Sequence, residues 1–312
     1  MKAFEIKVGG KSLDYRVPHK LDLDDVRRFF EKRYEVVKIW QGGRHVLLDV
    51  KKDGRNLFLK LATSEGISAV TKVEYDWNNA FNGQIDRKLQ FWVPKNVEYG
   101  FFKSKLFYIV TDKFEGELIS DWPKTKQADE VLGTIGKIID LCEFIQGLKF
   151  ENLSERFYGG QNYQDFFITK AKAWLDAVSD DVKRQYEPRN LFEIVKNGAE
   201  DLEMRPRHGD FAPWHIFILP KGKFGLIDGE HALASGVENY DICYFIQRVF
   251  SVLEAPDVAQ LIFDELMERN YKVEKLRTIL AARSIGGFLD ESLNSIPNYS
   301  FANKFKEWVL NL

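Results

Sequence analysis

Residues 206–231, "PRHGDFAPWHIFILPKGKFGLIDGEH", hold two aspartates and three of the five histidines in the chain. Asp210 directly follows His-Gly, and Asp228 ends an apolar run. Between them, "HIFIL" and "FGLID" flank the turn "PKGK", which predicts a β-hairpin that returns both carboxylates to one end. Carboxylates so placed suit phosphoryl transfer. One accepts the proton of an attacking hydroxyl, while the other holds a metal that neutralises the phosphates. Taken alone, each is also an ordinary turn residue, Asp210 after Gly209 and Asp228 before Gly229.

Two further charges sit where patterning alone puts apolar residues. In "NLFLKLA" the period-2 alternation places Leu57, Leu59 and Leu61 on one strand face and Phe58, Lys60 and Ala62 on the other. Lys60 therefore has apolar neighbours on both faces. In the next segment Val70, Val73, Trp77, Ala80 and Phe81 form a helical stripe that encloses Glu74. A buried charge without a partner costs several kcal/mol, so an inward lysine and an inward glutamate on neighbouring elements are expected to meet. A strand with an open face would instead leave Lys60 solvated, with Glu74 at the wet margin of the stripe.

The elements that must position these groups divide the chain in two. With 312 residues it exceeds the size at which one core usually stops growing. After a short strand ("FEIKV") and a charged helix ("LDLDDVRRFFEKR"), neither with recognisable chemistry, "VVKIW", "RHVLLDVKK" and "NLFLKLA" predict a small antiparallel sheet. A helix follows, then a strand in "KLFYIVTDKFEGELI" that breaks at Gly116. From about residue 128 the spacing is mostly helical, interrupted by the hairpin. The fold class expected is α+β with two lobes, residues 1–116 forming a β-rich lobe with one helix and 117–312 a helical one. Hydrophobic residues at 45% and charged ones at 29%, with no apolar run of roughly 18 residues, predict a soluble chain. The formal charge of -2 argues against a general nucleic-acid or membrane-surface binder and is silent about a local basic pocket. No secretory signal is visible, and Cys142 and Cys243, among apolar residues, read as buried thiols in a reducing cytoplasm.

On these residues the chain resembles the phosphotransferase family that includes aminoglycoside phosphotransferases and choline kinases, small-molecule relatives of the protein kinases. "HGDFAPWHIF" is similar to that family's catalytic-loop signature HGDxxxxN, and "LIDGEHA" to its metal-binding strand end. The resemblance implies a protein-kinase-like bilobal fold and transfer of the ATP γ-phosphate to a hydroxyl of a small molecule. It makes Asp210 the catalytic base and Asp228 the principal magnesium ligand. Lys60 would contact the α and β phosphates, with Glu74 orienting it. Backbone groups of Asp112 to Phe114 would face the adenine, and Asp241 would brace the catalytic loop. His208 would be structural, packing and hydrogen-bonding within that loop. The phosphate-covering turn "QGGRH" offers only Gly42 and Gly43 in place of a full glycine motif. His215 stands where the family has asparagine, and imidazole suits manganese or other transition metals better than magnesium. The alternative implied is a nucleotide-binding pseudokinase with impaired transfer. "HGD" in place of "HRD", with no D-F-G or A-P-E after Asp228, argues against a protein kinase.

The same resemblance expects the acceptor pocket between the helical lobe and the turn around Trp214. That side chain would stack on a sugar or organic cation, or simply pack. Aromatic and acidic residues in "ERFYGGQNYQDFF" and "GFLDES" are further candidates. Aminoglycoside, choline, amino alcohol and free sugar all stay open as acceptors, as does the oligomeric state.

Overall fold

The computed structural model describes residues 2–8, 10–84, 90–121, 128–150 and 163–312. Most of "ERFYGGQNYQDFF", residues 155–162, lies outside the described residues. The chain opens with a hairpin of β1 (Glu5–Val8) and β2 (Lys11–Asp14), followed by α1 (Leu23–Phe30). Asp22 caps α1 by accepting the N–H groups of Asp24 and Asp25, satisfying donors that the first turn leaves free. Next come β3 (Glu35–Gly42), β4 (His45–Lys52), β5 (Arg55–Ala62), and α2 (Glu65–Asn82), capped by Ser64. β6 (Phe91–Trp92), β7 (Asn96–Phe102) and β8 (Leu106–Asp112) complete the front half. A five-stranded antiparallel sheet in the order β3-β4-β5-β8-β7 results. Leu57, Leu59 and Leu61 bury one face of β5 against Val26 and Phe30 of α1, as the period-2 alternation requires.

The chain leaves this sheet after Asp112 and enters the back lobe through β9 (Glu117–Leu118), which pairs with the later hairpin. Helices α3 (Asp129–Leu132), α4 (Ile135–Gly147), α5 (Tyr163–Ala177), α6 (Asp180–Tyr186) and α7 (Arg189–Gly198) lead to β10 (Met204–Arg207). The hairpin is β11 (Ile216–Leu219) and β12 (Lys223–Leu226), paired Ile216 to Leu226 and Leu219 to Lys223. β13 (Leu233–Val237) pairs back onto β10, and α8 (Tyr240–Ser251), α9 (Pro256–Glu268), α10 (Val273–Glu291) and α11 (Ser300–Leu310) close the lobe. The largest core joins these helices to Val73, Trp77 and Phe81 of α2, so that helix ties the lobes together. Cys142 and Cys243 are buried free thiols. The N-terminal residues do not keep to the front lobe: Ala3 and Phe4 pack with Phe288 of α10. No described helix is long and apolar enough to cross a membrane.

Candidate active site

The hairpin register sets the geometry. Asp210 lies in the loop before β11 and Asp228 follows β12, so antiparallel pairing brings them to one end. The loop is braced from α8: Asp241 accepts the main-chain N–H groups of His208 (2.7 Å) and Gly209 (2.8 Å). Burial pushes the Asp241 carboxyl up to about 6 despite these two donors. Gly209 has φ +86°, and a Cβ there would lie 2.2 Å from the carbonyl oxygen of His231, so a side chain is excluded on both counts. His208 is fully buried and packs edge-on to Trp77. Its loop hydrogen bond runs through the main chain, and among the described residues neither ring nitrogen has a partner. Burial lowers its pKa to about 4, so the ring packs uncharged.

His215 connects the two aspartates. Its Nδ1 donates to the main-chain carbonyl of Asp210 (2.8 Å), which turns Nε2 toward Asp228 Oδ2 at 3.3 Å. One possible ligand atom from each of Asp210, His215 and Asp228 lies within 4.8 Å of the others. This donor set fits a divalent cation. The ring nitrogen opposite Nε2 is held by a carbonyl, as is usual for a metal-ligating histidine, and one imidazole with two carboxylates suits manganese better than magnesium. Asp228 itself takes the left-handed conformation (φ 68°), uncommon outside glycine and frequent at functional sites.

Lys60 and Glu74 do meet, at 2.7 Å, and Lys60 also bonds Asp228. A third carboxylate joins them, missed in the sequence although it lies two residues after Asp228: fully buried Glu230 stands 2.9 Å from Lys60. It also accepts from Arg44 (2.7 Å) and lies 2.9 Å from His45 Nε2. Burial opposes the charge on Glu230, yet Arg44, Lys60 and His45 outweigh it and hold the carboxyl well below the usual range. Glu74 has only a share of Lys60, and burial pushes it up to about 7. Gly42 ends β3 opposite His45, so Gly43 and Arg44 form the turn that reaches Glu230. At the crossing between lobes, the Asp112 N–H donates to the Lys95 carbonyl (3.0 Å) and its side chain pairs with Arg55, which removes that N–H as a donor to a base. Phe114 lies edge-on to Phe217.

Gly229 touches the same assembly from behind. A Cβ there would fall 2.4 Å from Cδ1 of Trp77, a buried rigid ring. We expect Gly229→Ala to cost roughly 1–3 kcal/mol by overfilling this contact. Thermal melting of the purified variant checks it; an unchanged midpoint would mean that Trp77 has room to move.

Asp210 is held on its other side by a chain that the sequence reading also missed. Tyr244 donates to Asp210 Oδ1 (2.5 Å), and Arg248 donates to Tyr244 (2.5 Å) and to Asp290 (2.8 Å). Burial works against a charged Asp210, but His215, His231, Arg248 and the Tyr244 hydroxyl together keep its carboxyl far below the usual range. The spacing of Asp241, Tyr244 and Arg248, three and four residues apart on one helix, was the available signal. Asp210 opens onto a cavity of about 160 Å³. Its described lining comes from α5, α8, α10, β10, β13, the turn at Arg44 and the N-terminal segment, including Tyr15 and Arg16, where no chemistry was expected. Trp214 is not among these residues; it packs against the main core.

No family model matches the sequence, and no curated protein matches it either. Solved structures do. The crystal structure of the aminoglycoside phosphotransferase APH(4)-Ia superposes with a TM-score of 0.67 at 16% identity, over 93% of this chain and 99% of that one. A thermostable variant of that enzyme in ternary complex with AMP-PNP and hygromycin B gives 0.68 at 15% identity, over 92% and 98%. The choline kinase LicA from Streptococcus pneumoniae gives 0.56 at 12% identity, over 93% and 97%. At such identities the likeness speaks for architecture, and the chain has the protein-kinase-like bilobal fold that these small-molecule phosphotransferases share.

Proposed function

We propose that the protein is an ATP-dependent phosphotransferase that moves the γ-phosphate to a hydroxyl group of a small molecule. The observation that carries this reading is the convergence of Asp210, His215 and Asp228 at one hairpin end, with Lys60 on Asp228 and an open cavity at Asp210. In this scheme the acceptor hydroxyl lies in the cavity with its proton toward the Asp210 carboxylate. Its oxygen forms a bond to the γ-phosphorus as the bond from that phosphorus to the β-γ bridging oxygen breaks. The hydroxyl proton passes to Asp210, and ADP leaves. Asp228 and His215 would hold a divalent cation, which supplies neutralisation of the phosphate charge. Lys60 binds the phosphates and is oriented by Glu74, while the Gly42-Gly43 turn lies over them. Tyr244 and Asp241 keep Asp210 in place. As the Asp112 N–H is already used, the base is held from the segment that follows, toward Phe114.

Calorimetric titration with ATP, alone and with magnesium or manganese, tests the nucleotide site. Wild-type protein is expected to bind in a metal-dependent manner, and Asp228→Ala to lose at least about ten-fold in affinity. Equal binding by the two proteins, or binding indifferent to metal, would remove Asp228 from the ligand set.

A further inference from the structure

The cavity at Asp210 is strongly cationic, against the near-neutral balance of the whole chain. Among the described residues lining it, six are basic (Arg16, Arg44, Lys170, Arg207, Arg248 and Arg283) and two are acidic, Asp210 and Asp290. The acidic groups do not balance the basic ones. Arg44 is taken by Glu230 (2.7 Å) and Arg248 by Asp290 (2.8 Å). Asp290 is also 3.8 Å from both Arg16 and Arg283, so one carboxylate serves three guanidinium groups. Among the described residues Arg207 has no carboxylate within ion-pair distance, and its guanidinium lies 3.8 Å over the ring of Tyr240. Lys170 donates to the Ala3 carbonyl (2.6 Å), and burial together with Arg207 and Arg16 lowers its pKa to about 8.

The excess of basic groups indicates what is missing. The Nε–H groups of Arg207, Arg248 and Arg283 are buried and have no acceptor within the described chain. These Nε atoms are closed off from the cavity; what lines it is an excess of guanidinium groups, whose planar shape matches the paired oxygens of a carboxylate or phosphate. The bland reading is a scaffold in which arginines stack on Trp174, Tyr240 and Tyr244. Stacking positions a guanidinium without removing its charge, and Arg283 in addition donates Nη1 to the Tyr240 hydroxyl (3.1 Å), which fixes its plane. A polycation or a quaternary amine entering here would meet like charges at close range.

We infer that the acceptor is an anionic alcohol, a small hydroxyl compound whose carboxylate or phosphate group is gripped by Arg207 and Arg283 while its hydroxyl faces Asp210. This names the acceptor class for the phosphotransferase reading above and rests on it for the transfer step, though anion binding itself does not. Choline and aminoglycosides, open on the sequence, are thereby disfavoured.

Calorimetry with glycerol 3-phosphate and with D-glycerate, against glycerol, choline and hygromycin B, tests the inference, each with and without AMP-PNP and magnesium. At least one anion is expected to bind about ten-fold or more tightly than glycerol, whichever anion prevails identifying phosphate or carboxylate, and to persist when AMP-PNP fills the nucleotide site. Arg207→Met and Arg283→Gln, each confirmed as folded by melting, should lower that affinity by at least about ten-fold. Choline or hygromycin B binding as well as the anions would overturn the inference, as would anion affinity unchanged in both variants, or no binding by any probe. Anion binding without any AMP-PNP binding would defeat the phosphotransferase reading and leave the anion pocket standing; the reverse pattern would defeat only the pocket.

Discussion

Asp210→Asn is expected to slow phosphoryl transfer about 10³-fold while leaving nucleotide affinity within roughly three-fold, as befits loss of a general base that is not the main phosphate contact. The substitution is close to isosteric. An asparagine carbonyl can still accept the Tyr244 hydroxyl, now 2.5 Å from Asp210 Oδ1, so the loop held by Asp241 stays in place. What disappears is the charge that takes the acceptor proton in the proposed mechanism. Single-turnover transfer from radiolabelled ATP, alongside calorimetry, separates the two effects. Full activity in the variant would show that the proton leaves by another route. If the wild type binds nucleotide and transfers nothing, the pseudokinase alternative gains, and His215→Asn is then the variant expected to raise activity by supplying a harder oxygen ligand.

Lys60→Met should be the most destabilising single change at the site. Lys60 is buried among Glu74, Asp228 and Glu230, three carboxylates within 4.8 Å of one another. Removing the shared ammonium leaves buried charge uncompensated, which typically costs about 3–5 kcal/mol. For a chain of this size that corresponds to a fall of roughly 5–15 °C in the melting midpoint. The pH dependence has a definite sign. Burial raises Glu74 to about 7 from its ordinary value of 4.5. Its contribution to stability is therefore fully present below 4.5 and is lost as pH rises through about 7. Without Lys60 that rise grows, so the deficit of the variant should be larger at pH 8 than at pH 5.5. Added manganese should recover part of it by replacing the lost charge among the carboxylates. A midpoint equal to wild type at both pH values would mean that the carboxylates are solvated or already shared with Arg44 and His45.

Much of this site was readable because it depends on local periodicity. Alternation along β5 predicted an inward Lys60, the helical stripe of α2 enclosed Glu74, and two apolar runs about one turn predicted the hairpin that unites Asp210 with Asp228. The structure keeps these elements with the expected order and pairing. Glu230 was within reach of the same reasoning, since it lies just beyond Asp228, but a strand-end pattern does not say that Arg44 and His45 will close over it from the first turn of the sheet. The Tyr244–Arg248 chain was half legible, as helical spacing placed both with Asp241 on one face, whereas Asp290 comes from a helix forty residues on.

By itself the sequence determined the two lobes, the hairpin and the inward charges, because hydrophobic period and turn chemistry act between neighbours along the chain. Only the tertiary structure decided the character of the cavity at Asp210. Arg16, Lys170, Arg207 and Arg283 belong to four segments, each individually able to keep its cation in water. Their charges sum to nothing notable in a chain of net charge -2. It is the docking of the N-terminal segment, α5, β10 and α10 around Asp210 that brings them to one cavity, and electrostatic fields depend on distance in space.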